Sequence, residues 1–517
     1  MALALVASGG ALGTEGAAYA QAPVLAPEPV AAPAPIAPPP ASAPASPPEA
    51  PPPPAVAPPA PSPAVTAAAP APPAPTTDVS EPAVPFAFGD FTWLNGGDRR
   101  HKALLDSEYV SPIFIADLNY THSFATPIDH TVVGSTALFR NDEIALEDIG
   151  LGAEFHSASK GNYMRGKVLL QYGGRSTIVP RNDLSNLKGQ FSLATAYRYI
   201  SEAYGGYHFN KLNGINVDVG LFMSYIGLYS YFNCENWSYQ PSYTSDNTPW
   251  FFNGIRIQIF PSDKFKFEPW IINGWQSYAK FNEMPGVGFS ALWMPTSSFK
   301  FVSNNYVGWD TAGAPGRFRA HTDNSVLLRY YNDPTSAFLS KAAFSVTADA
   351  GFETGDGVTP WGGTGKEGSC TSQTQCNQNF LSWMVYNRFW LYKDVFGLTL
   401  GGGMMHNDGR YLVLPPTGAG APGTPGTGFD TNPGTTFNGQ DYSLSAQWMP
   451  DDYAEFLVEF VHRQADTPYY AGHGGVTSPS GYNNLPVDNP TSSAPLGWRP
   501  DLVTSENRVI FAVLVRL

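Results

Sequence analysis

The chain has 517 residues and a formal net charge of −14, with charged residues held to 14% and aromatics raised to 14%. An acidic balance without a basic footprint excludes a nucleic-acid binder, and three cysteines are too few for a disulfide framework. No run of about 18 apolar residues occurs, which excludes a helical span but says nothing against membrane strands. Mean hydropathy is slightly negative at −0.18, as suits a wall that is apolar on one side and wet on the other.

Residues 1–20 read as a signal peptide: they are small and apolar and finish in Ala18-Tyr19-Ala20, a small-x-small cleavage site. No Lys or Arg precedes Arg99, so the positive flank of such a signal is missing. Residues 21–85 are nearly all Pro, Ala, Val and Ser, a composition that cannot bury enough surface to fold. As an extended spacer at about 3.1 Å per residue, that segment reaches about 200 Å at most, enough to cross much of a periplasm, and it reads either as a passive low-complexity tail or as a contact to the cell wall.

From Phe86 onward the text changes to strands, and residues 86–517 read as one all-β transmembrane barrel. Phe114, Ala116, Leu118 and Tyr120 alternate with Asp117, Asn119 and Thr121, and Met164, Val168, Leu170 and Tyr172 with Arg165, Lys167 and Gln171. The same period of two recurs at Phe344–Phe352, at Phe456, Val458 and Phe460 against Glu455 and Glu459, and at Val509, Phe511, Val513 and Val515. So many apolar faces need a large apolar partner, and with no amphipathic helices to cover them that partner is lipid.

Turn chemistry alternates as well. Pro261-Ser262-Asp263, Pro295-Thr296-Ser297-Ser298, Asn332-Asp333-Pro334-Thr335, Lys393-Asp394 and Pro450-Asp451-Asp452 are short reversals. Between them lie longer stretches rich in Gly, Asn, Ser, Thr and Pro, at 274–285, 309–322, 354–379, 407–439 and 467–504. Short turns at one end and long loops at the other are the asymmetry of an outer-membrane barrel. Counting hairpins from a first strand at Phe86–Leu94 to a last at Glu506–Leu517 predicts about 18 antiparallel strands, within a range of 16–18. An even count puts the N-terminal segment on the periplasmic side of the outer membrane of a Gram-negative-type bacterium. Trp293-Met294-Pro295 and Trp448-Met449-Pro450 each set an indole before a turn, where an interfacial girdle belongs.

Parity places Arg165, Lys167, Arg198, Arg256, Lys266, Arg329, Arg388, Arg463 and Arg508 on the inner face, with Asp117, Glu154, Glu202, Asp218, Glu268, Asp349, Glu353, Glu455 and Glu459. A charge facing lipid at mid-depth costs about 2–4 kcal/mol, so these are the pore-lining candidates. The signs nearly cancel, which leaves ion preference to the mouth, where Asp310, Asp323, Asp356, Asp408, Asp430, Asp466 and Asp488 fall in the long-loop regions and predict weak cation preference. The aromatic stretch Tyr225–Tyr243 is the candidate for a loop folded into the mouth, and Cys370 and Cys376 share one loop as a possible disulfide.

No chemistry of an enzyme is visible. Gly362–Ser369 resembles a phosphate loop, but Glu367 follows Lys366 where Ser or Thr is needed and no helix follows. The nine histidines are scattered without metal-ligand spacing, so neither cofactor nor metal is expected.

Four segments, Tyr199-Ile200-Ser201-Glu202-Ala203-Tyr204, Gly220-Leu221-Phe222-Met223-Ser224-Tyr225-Ile226-Gly227, Pro249-Trp250-Phe251-Phe252-Asn253-Gly254-Ile255-Arg256 and Trp270-Ile271-Ile272-Asn273-Gly274-Trp275-Gln276, resemble the core of the OmpL-like outer-membrane porin family. The resemblance spans roughly residues 86–517 and implies a barrel that passes small solutes. Barrels of this kind often end in an aromatic residue, whereas this sequence ends in Leu517. The expected function is passive diffusion of small hydrophilic solutes and ions, with outer-membrane lipid as the surrounding partner. The alternative is a closed or plugged barrel acting as a receptor, scaffold or solute-specific binding channel.

Overall fold

The computed structural model describes residues 84–157, 161–180, 183, 193–365, 370–409, 411–412, 436–477 and 500–517. The signal and linker expectations at 1–83, Lys366–Ser369, Asp430 and Asp488 lie outside them. Sixteen antiparallel strands close into one barrel. In chain order they are β1 Val110–Ser123, β2 Ile144–Phe155, β3 Tyr163–Tyr172, β4 Ile200–Phe209, β5 Ile215–Met223, β6 Phe251–Ser262, β7 Phe265–Ile272 and β8 Gly286–Thr296. The second half comprises β9 Phe299–Gly308, β10 Phe318–Asn332, β11 Leu339–Thr354, β12 Asn379–Leu391, β13 Phe396–Asp408, β14 Thr436–Trp448, β15 Ala454–Ala465 and β16 Ser505–Arg516. Each strand pairs with its neighbours in sequence, and β1 closes on β16 from Ile115↔Arg516 to Ser123↔Arg508, so no edge is left unpaired.

The count of about 18 is corrected to 16 among the described residues, because Phe86–Leu94 is not a strand but a run of turns that ends with Trp93 and Leu94 buried. Its Phe residues resemble an apolar strand face, yet they pack locally and against the first turns, as in the edge-to-face pair Phe88–Phe91 at 5.3 Å and Phe86–Phe260 at 6.2 Å. The five short reversals join β6 to β7, β8 to β9, β10 to β11, β12 to β13 and β14 to β15. All the longer connections lie at the opposite end.

Alternation along each strand sorts the wall. In β11, Val346 and Ala348 point outward and are exposed, while Ser345, Thr347 and Asp349 point inward and are buried. A girdle of aromatic pairs marks the short-turn end of the outer face: Trp293–Phe299 at 5.8 Å, Phe338–Tyr392 at 5.3 Å and Trp448–Phe456 at 4.9 Å. The adjacent Met294 and Met449 turn inward and are buried. Cys370 and Cys376 form a disulfide in the loop between β11 and β12.

Candidate functional site: the barrel lumen

A barrel of this strand number is wide enough for an aqueous channel unless something fills it. Residues 224–250, between β5 and β6, fold into the lumen and are buried almost throughout. The Tyr225–Tyr243 stretch is thus the centre of a loop that crosses the barrel, reaching β10, β12, β14, β15 and β1 on the far wall. A loop taken out of water must satisfy its backbone N–H groups, and the wall supplies acceptors. Glu459 of β15 accepts from the backbone N–H groups of Tyr239 at 2.6 Å and Gln240 at 3.0 Å. Asp441 of β14 accepts from the N–H of Tyr243 and the hydroxyl of Ser242, each at 2.8 Å. Asp323 of β10 accepts from the N–H of Gly227. Hydrogen bonds to charged acceptors are each worth about 1.5–3 kcal/mol, so these carboxylates seat the loop firmly.

Side chains complete the seat. Asp117 of β1 accepts from the Tyr239 hydroxyl at 2.7 Å and the Asn233 amide at 2.8 Å, and Gln171 of β3 from the Tyr231 hydroxyl at 2.7 Å. Arg463 pairs with Asp246 of the loop at 2.9 Å, donates to the carbonyls of Pro241 and Gly134, and lies over the Tyr243 ring at 4.6 Å. Arg388 donates to the carbonyl of Trp237 at 3.1 Å. Close approach also needs inward-facing glycines: a Cβ on Gly439 would meet the Tyr243 ring at 2.8 Å. Apolar inward residues Ile115, Leu457, Val461, Ile510 and Leu514 pack in one cluster with Tyr231, Phe232 and Tyr239.

The opposite wall differs. On the short-turn half of β2–β7 the inward charges form a ladder: Arg165 lies 3.7 Å from both Glu154 and Asp218, Lys167 pairs with Glu202, Arg256 with Asp218 at 2.8 Å, and Lys266 with Glu268 at 2.7 Å. Arg256 is flanked by the rings of Phe222 at 4.5 Å and Tyr204 at 4.8 Å. The cationic side chains here are partly exposed: Arg165 and Lys167 are each 15% exposed, Arg256 13% and Lys266 18%, against 1% for Arg463 and 0% for Arg508.

The structure thus separates the sequence-derived residues into two groups. Arg165, Lys167, Arg256 and Lys266 stand in the ladder with partly exposed side chains, paired with the buried carboxylates Glu202, Asp218 and Glu268, whereas Arg329, Asp349, Glu353, Arg388, Glu455, Glu459, Arg463 and Arg508 are buried inside the barrel. Arg198 is not on a strand: it follows the short helix Leu193–Tyr197 and lies over Tyr199 at 4.7 Å. Among the described residues the mouth carboxylates are each engaged locally. Asp310 is bound to Arg319 at 3.0 Å and Tyr306 at 2.6 Å, Asp323 is buried on β10, and Asp466 is tied to Asn438 at 2.6 Å. Sequence reading passed over Asp441 and Asp246. For Asp441 the signal was present, since Tyr442, Leu444, Ala446 and Trp448 alternate with Asp441, Ser443, Ser445 and Gln447.

A closed, lipid-facing barrel with an inward loop and a polar lumen defines an outer-membrane, channel-type protein. The chain belongs to the family described as Putative beta-barrel porin-2, OmpL-like, whose model matches residues 115–484; this is a porin class and not an enzyme class. Among the described residues no group of three or more His, Cys, Asp or Glu is placed to hold a metal ion. No curated protein matches the sequence. Solved structures similar to it include OmpT of Vibrio cholerae, at 10% identity over 80% of this chain and 100% of that one with a TM-score of 0.43. An anion-selective porin from Comamonas acidovorans is 9% identical over 79% and 99%, with a TM-score of 0.45. The outer-membrane channel DcaP of Acinetobacter baumannii is 11% identical over 80% and 100%, with a TM-score of 0.44. Likeness this remote adds nothing to what the family and the strand order establish.

Proposed function

We propose that the protein is a porin for passive diffusion of small hydrophilic solutes and ions, with an eccentric passage between the inward loop and the β2–β7 wall. The observation that carries this reading is the contrast in exposure: the side chains of Arg165, Lys167, Arg256 and Lys266 stay partly exposed, while residues 224–250 are buried almost throughout. Both signs line that ladder and each charge has a partner, so the passage favours small polar solutes over bulky apolar ones. The short-turn end and the N-terminal segment face the periplasm, and the Pro/Ala-rich residues 21–85 then have the length to contact the cell wall.

A second reading is a closed barrel serving as a receptor or scaffold, favoured by the near-complete burial of residues 224–250. Purified protein in a planar bilayer separates the two. Small ohmic conductance steps are expected; silence from protein that shows the heat-modifiable gel shift of a folded barrel would replace the porin by the closed barrel. Fractionation with the outer membrane is expected in either case.

A further inference from the structure

The segment before β1 forms no strand, yet it is held at several points across the short-turn mouth. The N–H of Phe86 donates to the carbonyl of Asp263 in the β6–β7 turn at 2.7 Å, and the indole of Trp93 to the carbonyl of Ser297 in the β8–β9 turn at 2.9 Å. Asp90 lies 3.6 Å from Lys341 and 3.8 Å from Arg329. On the far side Arg99 donates to the carbonyls of Asp451 at 2.9 Å and Ala454 at 2.7 Å, and His101 reaches Asp452 at 2.9 Å. Between these anchors the chain dips inward. Trp93, Leu94 and Asn95 are buried, and they meet the tip of the inward loop.

That meeting is specific. The Asn95 side chain accepts from the N–H of Trp237 at 2.9 Å, the Trp237 indole donates to the carbonyl of Trp93 at 3.0 Å, and the N–H of Gly96 donates to the carbonyl of Glu235 at 3.1 Å. Gly96 has φ +70°, and a Cβ there would meet the carbonyl oxygen of Leu228 at 2.0 Å, so the two backbones touch only because position 96 is glycine. Strap, loop tip and wall enclose a cavity of about 210 Å³.

From these contacts we infer that residues 84–102 are a latch: they hold the tip of the inward loop across the short-turn mouth, and their release lets the tip move and widens the passage. The strap takes no part in the strand pairing: the ladder hydrogen bonds run between strands β1 to β16, and the strap is added to that wall by side-chain packing and turn contacts. The outer anchors are single contacts at the rim: ion pairs from the exposed Asp90 and His101, and hydrogen bonds to main-chain carbonyls, each individually weak. The latch therefore lets go without unfolding the wall, and anything that draws the chain upstream of residue 84 away from the mouth acts on the loop through Asn95 and Gly96. This inference rests on the porin reading for its effect on conductance, but not for its effect on the loop.

Cys234 gives a readout independent of conductance. It is the free thiol among the described residues, sits at the loop tip beside the cavity, and burial pushes it up to about 11, so a seated loop is labelled slowly by a maleimide. The test uses full-length protein folded in lipid, carrying Asn95→Ala with Arg99→Ala, and a second protein lacking only residues 84–102. Cys234→Ser supplies the blank, and the gel shift reports folding. The latch predicts several-fold faster labelling of Cys234 in both released proteins and larger conductance steps than in the parent. Unchanged labelling in folded released protein overturns it, and so does faster labelling with an unchanged, measurable conductance. Faster labelling with silence from parent and variants alike overturns the porin reading and leaves the loop-holding role supported.

Discussion

The two halves of the lumen carry the same kinds of side chain and use them differently. Along β10–β16 and β1, inward Asp, Glu and Arg are spent on the crossing loop: Glu459 and Asp441 cap its N–H groups and Arg463 neutralises its Asp246. Along the short-turn half of β2–β7, the charges face one another across the sheet as a ladder whose cationic side chains stay partly exposed. An inward charge in a membrane barrel is therefore not by itself a pore-lining charge. What decides is whether a second segment of chain takes the place of water around it.

The largest expected difference is in stability. Replacing Arg463 by Met leaves Asp246 and Asp441 buried without their counter-charge, which should cost about 3–5 kcal/mol. Replacing Arg165 by Met should cost about 1 kcal/mol or less, since Arg165 is partly exposed and Asp218 keeps Arg256 at 2.8 Å as its counter-charge. Unfolding midpoints in denaturant, followed by tryptophan fluorescence, measure both, and equal losses at the two positions would dissolve the distinction.

A smaller structural change tests whether the loop limits flow. Gly439→Val on β14 places a side chain where the Tyr243 ring now rests, at an overpacking cost of about 1–3 kcal/mol. The loop should yield before the wall does, so conductance should rise in folded protein. A conductance equal to the parent's would mean that the loop does not define the narrowest point.

Charge changes sharpen the comparison further. With the mouth carboxylates tied up, ion preference follows the ladder, so Arg165→Gln with Lys167→Gln should shift reversal potentials toward cations at low salt. The shift should fade near 1 M salt, where screening acts within about 3 Å. Arg508→Gln, fully buried on the other side, should leave selectivity unchanged; a shift as large as that of the double variant would place β16 in the permeation path.

Much of the fold was legible because barrel strands obey local rules. Asp, Pro and Ser at 261–263 and 450–452 announce reversals, and a period of two survives wherever one face meets lipid. The false first strand at Phe86–Leu94 arose because a strap that buries Trp93 and Leu94 also needs apolar residues, and composition alone does not separate the two. The seating of the crossing loop was not legible for a different reason. Tyr225–Tyr243 announces itself as aromatic, but its partners are distant in sequence: Tyr239 meets Asp117 across 122 residues and Glu459 across 220. Nothing in the local text ties those positions together, so Glu459 reads as pore-lining until the closed barrel brings the loop against it. Asp323 follows the long-loop region 309–322 in the sequence, but β10 begins at Phe318 and carries it inward rather than to the mouth.

The smallest expected effect lies above the sealed half, where the β1–β2 loop and the chain after β15 are tied together by Asp129. Its carboxylate accepts from the N–H groups of Val476 at 2.8 Å and Thr477 at 2.7 Å. Partial burial pushes this group up, but the hydrogen bonds from Thr477, Val476 and Thr131 outweigh it and hold Asp129 below the usual carboxylate range. A carboxylate lowered in the folded state contributes its stabilisation in full above the ordinary aspartate value near 3.9, and loses it as pH falls through the lowered one. Amide exchange at Val476 and Thr477, corrected for its intrinsic pH dependence, should therefore show protection that is flat from pH 7 to about 4 and drops only below that. Asp129→Asn should lower the protection at pH 7 and remove the acid step, because an amide oxygen accepts these bonds without a charge to titrate. Protection that falls already between pH 7 and 5 would show that the Asp129 carboxylate does not hold this tie, and would leave the roof of the sealed half held by a different group.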